Sequence, residues 1–509
     1  MSPTAETWPA RARRAIASVP RPLALLLPVV ALFGVAWALV IPAWQAPDED
    51  VHFAYAQTLS ELHKLPGEVR GKSDAVNRLP TTARQSLSSE QVDSFRPTNT
   101  DQLVIFPRGI PNWSGDAWNR WRAQRHPSAA TGGGPNTAST YPPAYYLYES
   151  VPYSIAGGNV FTRLYTMRIA SVGWLLVTTV GAWLLAGEVF GRRRTLQLVT
   201  AAVVGLWPMV SFVSAMVNPD AMLYALWTLA LWLGVKIIKR GLTPGRAAAL
   251  FGVVGLALIT KATSIALLPG VILALGIGVF RTRRVPRRAI VAVAAAAVAL
   301  ALPVASWQGV VRSLDRPAYA QSGAISGGGL NKREFLSYVW QFYLPRLPFM
   351  TEQRRTFDIP TKYPAYNVWF AQSWGVWGWV TVYFPNRIYA LFFALALVVA
   401  AGALVATWRA LRARGIWPAI RSAAPVGAFF ATILLTLLAG LHLNEYRLGV
   451  PANQARYLFP LVALAGLVFA QSTLALRGRA RLVAVAVLLA ALPIYNLASL
   501  GYVASRYYV

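Results

Sequence analysis

The sequence predicts an all-α polytopic membrane protein with about 11 transmembrane helices. Its 509 residues are 56% hydrophobic and 13% charged, whereas soluble domains are about 45–50% apolar and about 25% charged. Apolar runs recur at about the 20-residue length that crosses a bilayer as a helix. The 48 Lys and Arg residues outnumber the 19 Asp and Glu residues and cluster between those runs. These observations exclude a soluble enzyme and an ordinary nucleic-acid-binding protein.

The first apolar run predicts a membrane anchor that is retained. It extends from Pro22 to about Pro42 and follows several arginines. At about 20 residues it is longer than the 7–15-residue core of a signal peptide. We expect further spans near these residues: 168–190, 196–217, 220–238, 246–260, 264–280, 289–306, 387–408, 423–441, 457–476 and 482–503.

Short connections between the runs carry basic clusters such as Arg192-Arg193-Arg194. Short basic loops stay in the cytoplasm, so we expect a plasma-membrane protein with a cytoplasmic N-terminus. Two long polar segments then lie on the extracytoplasmic face. The aromatic segment 141–160 is predicted to lie at the outer interface, because a crossing there would invert every later loop.

The predicted organisation has six parts. They are a cytoplasmic N-terminus (1–21), a first transmembrane helix (22–46), a first extracytoplasmic loop with juxtamembrane helices (47–163), a transmembrane bundle (164–306), a second extracytoplasmic loop (307–386) and C-terminal transmembrane helices (387–509).

Residues that could carry chemistry follow the first span directly, in Pro47-Asp48-Glu49-Asp50-Val51-His52-Phe53. If Pro47 opens a helix, Asp48 and His52 are four residues apart and share a face. An acid and an imidazole at the water–lipid boundary could take a proton from a hydroxyl group or hold a divalent metal. The alternative is structural, because acids in the first turn of a helix interact favourably with its dipole.

This segment resembles known families. A span followed at once by an acidic pair and an aromatic-rich helix resembles the GT-C class of membrane glycosyltransferases. The stretch from Asp48 to Phe53 is similar to the DE-VHF segment of protein O-mannosyltransferases, with Asp50 inserted. The P-D-E-x-x-H form resembles an uncharacterised family of bacterial predicted membrane proteins. The resemblance implies a GT-C-like fold, an acid (Asp48 or Glu49) as catalytic base, and a sugar on a polyprenyl phosphate as donor.

Further short motifs extend the resemblance over about residues 22–503. Tyr141-Pro142-Pro143-Ala144-Tyr145-Tyr146 and Arg168-Ile169-Ala170-Ser171 resemble the H/Y-PP-x-Y-Y and R-L-P-S segments of lipid-A aminoarabinose transferases. Asn218-Pro219-Asp220-Ala221 resembles a common N-D-A turn, with Pro219 inserted. Leu258-Ile259-Thr260-Lys261-Ala262-Thr263 is similar to the L-L-T-K-x-T hairpin of these transferases, with Ile259 in place of the second Leu. Gln454-Ala455-Arg456-Tyr457-Leu458-Phe459-Pro460 resembles the QGRYLFP of the uncharacterised family.

Several residues in these motifs suit a lipid-phosphate donor. Arginine binds phosphate through two parallel hydrogen bonds, although Arg168, Lys261 and Arg456 could equally be interfacial anchors. Aromatic residues of the second outer loop could stack on a sugar or form an interfacial belt. The substrate-binding candidates are His52, Tyr141, Tyr145, Arg168, Asp220, Lys261, Trp374, Gln454, Arg456 and Tyr457.

A metal site has weaker support in the sequence. The chain has no cysteine, so thiolate ligands and disulfides are excluded. His442 and Glu445 lie in a late outer loop and could complete a divalent metal site with Asp48 or Glu49, but no residue is assigned as a metal ligand.

Two functions remain open at this point. The first is an inverting glycosyltransferase that moves a sugar from a polyprenyl-phosphate donor to a hydroxyl group of a cell-envelope glycan, lipid or protein. The second is a transporter or flippase for lipid-linked glycans. Such proteins carry ionisable or Gly/Pro-broken sites near the middle of the membrane, and the predicted spans contain hardly any charge. The expected partners are membrane lipid, the donor and the envelope acceptor, without nucleic acid.

Overall fold

A computed structural model describes residues 19–66, 88–95, 115–123, 136, 138–139, 141–282, 287–313, 331–351, 364–448 and 453–508. The predicted cytoplasmic N-terminus therefore lies, up to residue 18, outside the described residues. The α-helices are α1 (Arg21–Val40), α2 (Glu49–Leu62), α3 (Ser89–Asp93), α4 (Gly115–Ala123), α5 (Ala144–Ala156), α6 (Val160–Phe190), α7 (Arg194–Leu206), α8 (Pro208–Ser214), α9 (Asp220–Arg240), α10 (Pro244–Leu258), α11 (Leu268–Arg281), α12 (Arg287–Ser313), α13 (Lys332–Tyr343), α14 (Gln372–Gly375), α15 (Asn386–Arg414), α16 (Ile416–Leu448), α17 (Val462–Ser472) and α18 (Gly478–Tyr508).

Short irregular elements complete the fold. Turns of 3₁₀-helix span Ala262–Leu267, Ala455–Leu461 and Thr473–Ala475, and a π-helical turn spans Tyr366–Ala371. The described residues contain one two-stranded antiparallel sheet, β1 (Val376–Trp377) with β2 (Val382–Tyr383), in which Val376 pairs with Tyr383.

The all-α polytopic fold predicted from the sequence is confirmed. In the described part of the chain, nine helical segments are long and apolar enough to cross a membrane, and the bent pair α7–α8 passes as a tenth. The shorter apolar helix α10 supplies the eleventh predicted segment. The segment around α5 forms a 13-residue helix and is not among the candidate spans. Helix α12 continues to Ser313, so the membrane helix extends beyond the predicted boundary at residue 306.

Helix α9 is the centre of the bundle, with 83% of its most apolar window buried. It packs against α6, α10 and α11. A Cβ atom on Gly181 of α6 would lie 2.9 Å from Thr228 of α9, so the absent side chain allows the two helices to approach closely. Helix α15 is only 6% buried over the same kind of window, and its apolar surface suits lipid.

The helices sort charged residues to two ends of the bundle. Helices α6 and α9 both run away from the end of α1, because Glu188 and Arg240 at their far ends form an ion pair. Arg281 at the end of α11 donates to the carbonyl of Lys239 at the same far end. The opposite end, which we call the site face, carries Asp48 and the start of α9. This separation agrees with the alternation of charge in the sequence.

A buried asparagine stabilises the break between α7 and α8. The two helices bend by 59° at Trp207–Pro208, where proline cannot donate a backbone hydrogen bond. Asn496 of α18 donates to the Leu206 carbonyl (2.9 Å) and accepts from the Trp37 indole of α1 (2.8 Å). One side chain therefore connects three helices at a point where backbone groups lack helical partners.

We expect Asn496→Leu to lower the free energy of unfolding by about 1–3 kcal/mol, because it leaves the Leu206 carbonyl and the Trp37 indole buried without partners. Thermal unfolding in detergent measures the change. Ser505→Ala on the same helix is the control, since the exposed Ser505 donates only within its own helix. Equal midpoints for the two variants would contradict the role of Asn496.

Candidate functional site

Asp48 lies where the chain turns from α1 into α2. Its backbone is left-handed (φ 60°, ψ 12°), and its side chain forms no capping hydrogen bond with α2. The carboxylate instead accepts a hydrogen bond from Arg456 Nη2 at 2.7 Å. The Asp48 side chain is 40% exposed, whereas that of Arg456 is 7% exposed. Asp48 is thus an accessible acid held in place by a buried cation.

Two further charges complete this cluster. Lys261, in the turn after α10, donates to Asp220 Oδ1 at 2.5 Å. The other Asp220 oxygen lies 4.0 Å from Arg456 Nε. Asp48, Asp220, Lys261 and Arg456 therefore form a charge-balanced tetrad on the site face. The turn Asn218-Pro219 positions Asp220, because the Asn218 amide donates to the Pro47 carbonyl at 3.2 Å.

Aromatic side chains surround the tetrad. Lys261 Nζ lies 5.0 Å from the ring centroid of Tyr457 and 5.8 Å from that of Tyr141. The ring centroids of His52 and Tyr141 are 5.6 Å apart. His52 Nδ1 hydrogen-bonds with Tyr146 Oη at 2.8 Å. The structure thus brings seven predicted residues together, namely Asp48, His52, Tyr141, Asp220, Lys261, Arg456 and Tyr457. Tyr146, which the sequence did not single out, is the partner of His52.

The protonation states follow from these surroundings. Burial acts to raise the pKa of Asp48, but the positive charge and hydrogen bond of Arg456, together with the charges of His52 and Lys261, outweigh it and lower the pKa below the usual 3.8. Burial lowers the pKa of His52 to about 3. Burial also acts to lower the pKa of Lys261, but the Asp220 carboxylate, together with Tyr141 and Tyr457, raises it overall. Near neutral pH the site therefore holds an ionised Asp48, a neutral His52 and a charged Lys261.

Glu49, unlike Asp48, is fully buried. Its side chain and that of Arg168 are fully buried and form an ion pair, in which Arg168 Nε donates to Glu49 Oε1 at 2.7 Å. The remaining Arg168 donors bind Glu49 Oε2 and the carbonyls of Ala38, Ile41 and Pro42. All five N–H groups of the guanidinium are thereby used. The expectation that Glu49 takes a proton and Arg168 binds phosphate does not agree with this burial.

Two other predicted contacts with substrate also lie in the interior. Tyr145 is fully buried, and its hydroxyl hydrogen-bonds with Ser171 Oγ at 3.0 Å. Trp374 is 6% exposed and packs between Phe392 and Trp207, with centroid distances of 4.6 and 4.5 Å. Neither ring has a free face for a sugar. Gln454, in contrast, is partly exposed beside Arg456.

The two residues that the sequence suggested for a metal site, His442 and Glu445, contact tyrosines instead. The Nδ1 and Nε2 atoms of His442 hydrogen-bond with Tyr338 Oη (3.1 Å) and Tyr343 Oη (2.9 Å), respectively. Tyr338 also donates to Glu445. Among the described residues, no group of three or more His, Asp or Glu side chains is arranged to hold a metal ion.

The fold and the site define a polytopic α-helical membrane protein with a charged, aromatic-lined cluster at one end of its bundle. The chain belongs to the family described as predicted membrane protein (DUF2142), whose sequence profile matches residues 31–465. This agrees with the resemblance of the P-D-E-x-x-H segment to an uncharacterised family of predicted membrane proteins.

Other comparisons add one structural similarity. No curated protein matches the chain. The crystal structure of the Archaeoglobus fulgidus oligosaccharyltransferase in the apo form is similar at 14% sequence identity over 95% of this chain, with a TM-score of 0.45. The chain covers 56% of the length of that structure.

The buried pair predicts a large effect on stability. We expect Arg168→Met to lower the free energy of unfolding by about 3–5 kcal/mol, because it leaves Glu49 buried without its counter-charge. Glu188→Gln is the control. The Glu188 side chain is 9% exposed, but its partner Arg240 is 40% exposed and keeps its contact with water, so we expect a loss of about 1 kcal/mol or less. Thermal unfolding in detergent compares them, and similar losses for both variants would contradict a structural role for Arg168.

Glu149 beside Tyr145 predicts a pH dependence of stability. It is fully buried and accepts from Ser171 Oγ at 2.6 Å, and burial raises its pKa from 4.5 to about 8. The unfolded chain loses this proton first, so stability falls as pH rises from about 4.5 to about 8. We expect Glu149→Gln to remove this part of the decline. Unfolding midpoints between pH 5 and pH 8 measure it, and a variant whose decline equals that of the wild type would contradict the assignment.

Proposed function

We propose that this protein is an inverting glycosyltransferase that moves a sugar from a polyprenyl-phosphate donor to a hydroxyl acceptor at the extracytoplasmic face of the plasma membrane. The observation that carries the proposal is the position of Asp48. It is an ionised, accessible acid at the end of the first membrane helix, with two buried cations beside it. The ordered motifs that resemble GT-C enzymes support the same function.

The proposed reaction is a single displacement. Asp48 takes the proton from the acceptor hydroxyl as its oxygen attacks the anomeric carbon. The bond between that carbon and the phosphate oxygen breaks, and the polyprenyl phosphate leaves with the electron pair. Because the acceptor attacks from the side opposite the phosphate, the configuration at the anomeric carbon inverts.

The cations of the tetrad suit the departing phosphate. Lys261 and Arg456 supply two positive charges on the site face, and preorganised charges stabilise a leaving group without reorganisation. Arg456 contacts Asp48 at 2.7 Å, so its attraction to the growing phosphate charge weakens its hold on the carboxylate. The proton affinity of Asp48 then rises as the acceptor loses its proton. Asp220 keeps both cations in position.

The remaining residues have supporting roles in this proposal. Neutral His52 is held by its hydrogen bond with Tyr146 and forms a second hydrogen bond with the substrate near Asp48. Tyr141 and Tyr457 form aromatic walls beside Lys261. The polyprenyl tail would lie against the apolar outer surface of the bundle. The buried pair of Glu49 and Arg168 positions the turn that presents Asp48, so both act through Asp48 and do not touch substrate.

Asp48→Asn tests the proposal. We expect transfer to fall about 10²–10⁴-fold, the usual contribution of a general base. The unfolding midpoint should fall only modestly, because Asp220 remains as a counter-charge 4.0 Å from the buried Arg456. The assay supplies membranes with a panel of radiolabelled polyprenyl-phosphate sugars and an extract of envelope glycans. Asp116→Asn is the matched control, since Asp116 is exposed on α4.

Two outcomes would contradict the proposal. Transfer that persists in Asp48→Asn would remove Asp48 as the base. A wild-type protein that transfers sugar from no donor in the panel would contradict the enzyme itself, and lipid translocation in proteoliposomes would then test a flippase.

A further inference from the structure

A small crevice lies close to Asp48, although Asp48 itself does not line it. Pro47 and Arg456, the sequence neighbour and the ion-pair partner of Asp48, both line it. Its other walls are mostly apolar and come from α8 and from the β1–β2 hairpin: Met209, Phe212, Val213, Val376 and Val380. Arg456 is the only charged residue among the described residues that line it. Lys261, Tyr141 and Tyr457 lie elsewhere around the tetrad.

Besides Arg456, the side-chain amides of Gln372 and Gln454 place polar groups at this crevice. Gln372 Oε1 accepts from the backbone N–H of Ala455 at 3.1 Å and so fixes the segment that carries Arg456. Gln454, one residue before, lines the crevice with a partly exposed side chain. Its amide is thus available to a ligand that enters beside Asp48.

The hairpin that closes the crevice is held firmly. Val380 has a left-handed backbone (φ 61°), a conformation that is unfavourable for a β-branched residue and requires surrounding support. The support comes from the turn after α1 and from α18: the Trp379 indole donates to the Trp44 carbonyl at 3.3 Å, and Tyr502 donates to the Tyr383 carbonyl at 2.6 Å. The crevice wall is therefore preformed.

We infer that this crevice is the acceptor subsite, and that it binds an apolar group, of about the size of a methyl or methylene, next to the hydroxyl that attacks. The inference rests on the proposed function. In that function Lys261 binds the donor phosphate. Lys261 does not line the crevice, whereas Arg456, the partner of Asp48, does, so a phosphate on Lys261 leaves the crevice free for the acceptor. Gln454 then hydrogen-bonds with a second polar group of the acceptor. Acceptors that lack the apolar group lose this contact.

The absence of cysteine from the chain allows a direct test. Val380→Cys places one thiol in the crevice, where methanethiosulfonate reagents convert it to a mixed disulfide and release a sulfinate. We expect the neutral methyl reagent to react at least about tenfold faster than both the cationic trimethylammonium-ethyl and the anionic sulfonato-ethyl reagents. The apolar walls disfavour either charge, and the positive charge of Arg456 in the wall is already paired with Asp48. Arg333→Cys, on the exposed surface of α13, should react with all three.

The labelled protein then reports on the acceptor. The attached S-methyl group fills the crevice, so we expect the KM for the envelope acceptor to rise about tenfold while the KM for the donor changes less than about twofold, a tenfold change being 1.4 kcal/mol. Reduction with dithiothreitol restores the starting value in the same sample. Gln454→Leu should also raise the acceptor KM selectively.

The outcomes separate the two proposals. No preference for the neutral reagent, or equal changes in both KM values, would overturn the acceptor subsite while leaving the glycosyltransferase in place. If Val380→Cys is labelled selectively but the wild-type protein transfers no sugar, the crevice is accessible and apolar. The missing transfer would then overturn both the acceptor subsite and the proposed function.

Discussion

The buried ion pair between Arg168 and Glu49 is the interaction on which the site depends. A helix leaves its last carbonyls without partners, and Arg168 binds those of Ala38 and Ile41 at the end of α1. The same guanidinium binds Glu49 at the start of α2. The chain between the two helices is therefore fixed, with its direction set by one side chain from α6. Asp48, which lies within this turn, receives its orientation from these contacts.

The pairing of charges explains how ionised groups are accommodated at the edge of a membrane. A single buried charge costs several kcal/mol, whereas Asp48, Asp220, Lys261 and Arg456 together are neutral. Their arrangement also leaves the two acids with different tasks. Asp220 is buried between two cations, and Asp48 shares one cation and remains open to water. Because the cluster is neutral and Asp48 is accessible, Arg456 can exchange its contact with Asp48 for a contact with an anionic ligand at small electrostatic cost.

The sequence predicted much of the site but not the direction of its side chains. Lys261, Asp220 and Arg456 were each recognised in a short motif, and each lies at the start of a helical element on the site face. Tyr145 and Trp374 were recognised in the same way but are buried by packing. A motif records residue types and spacing, whereas the choice between Tyr145 and Tyr146 as the neighbour of His52 depends on the rotation of α5 against α2. That rotation is set by packing between the two helices, which the motif does not encode.

Hydropathy and charge along the chain determined the helical spans and the separation of basic clusters from the site face, because both follow from short stretches of sequence. Tertiary structure decided which of two adjacent acids is buried. Glu49 is paired with an arginine 119 residues away, and Asp48 with one 408 residues away. The energy of a charge in a protein depends on the groups that fold around it. Neighbours in sequence therefore acquired opposite environments, and with them a structural and a proposed catalytic role.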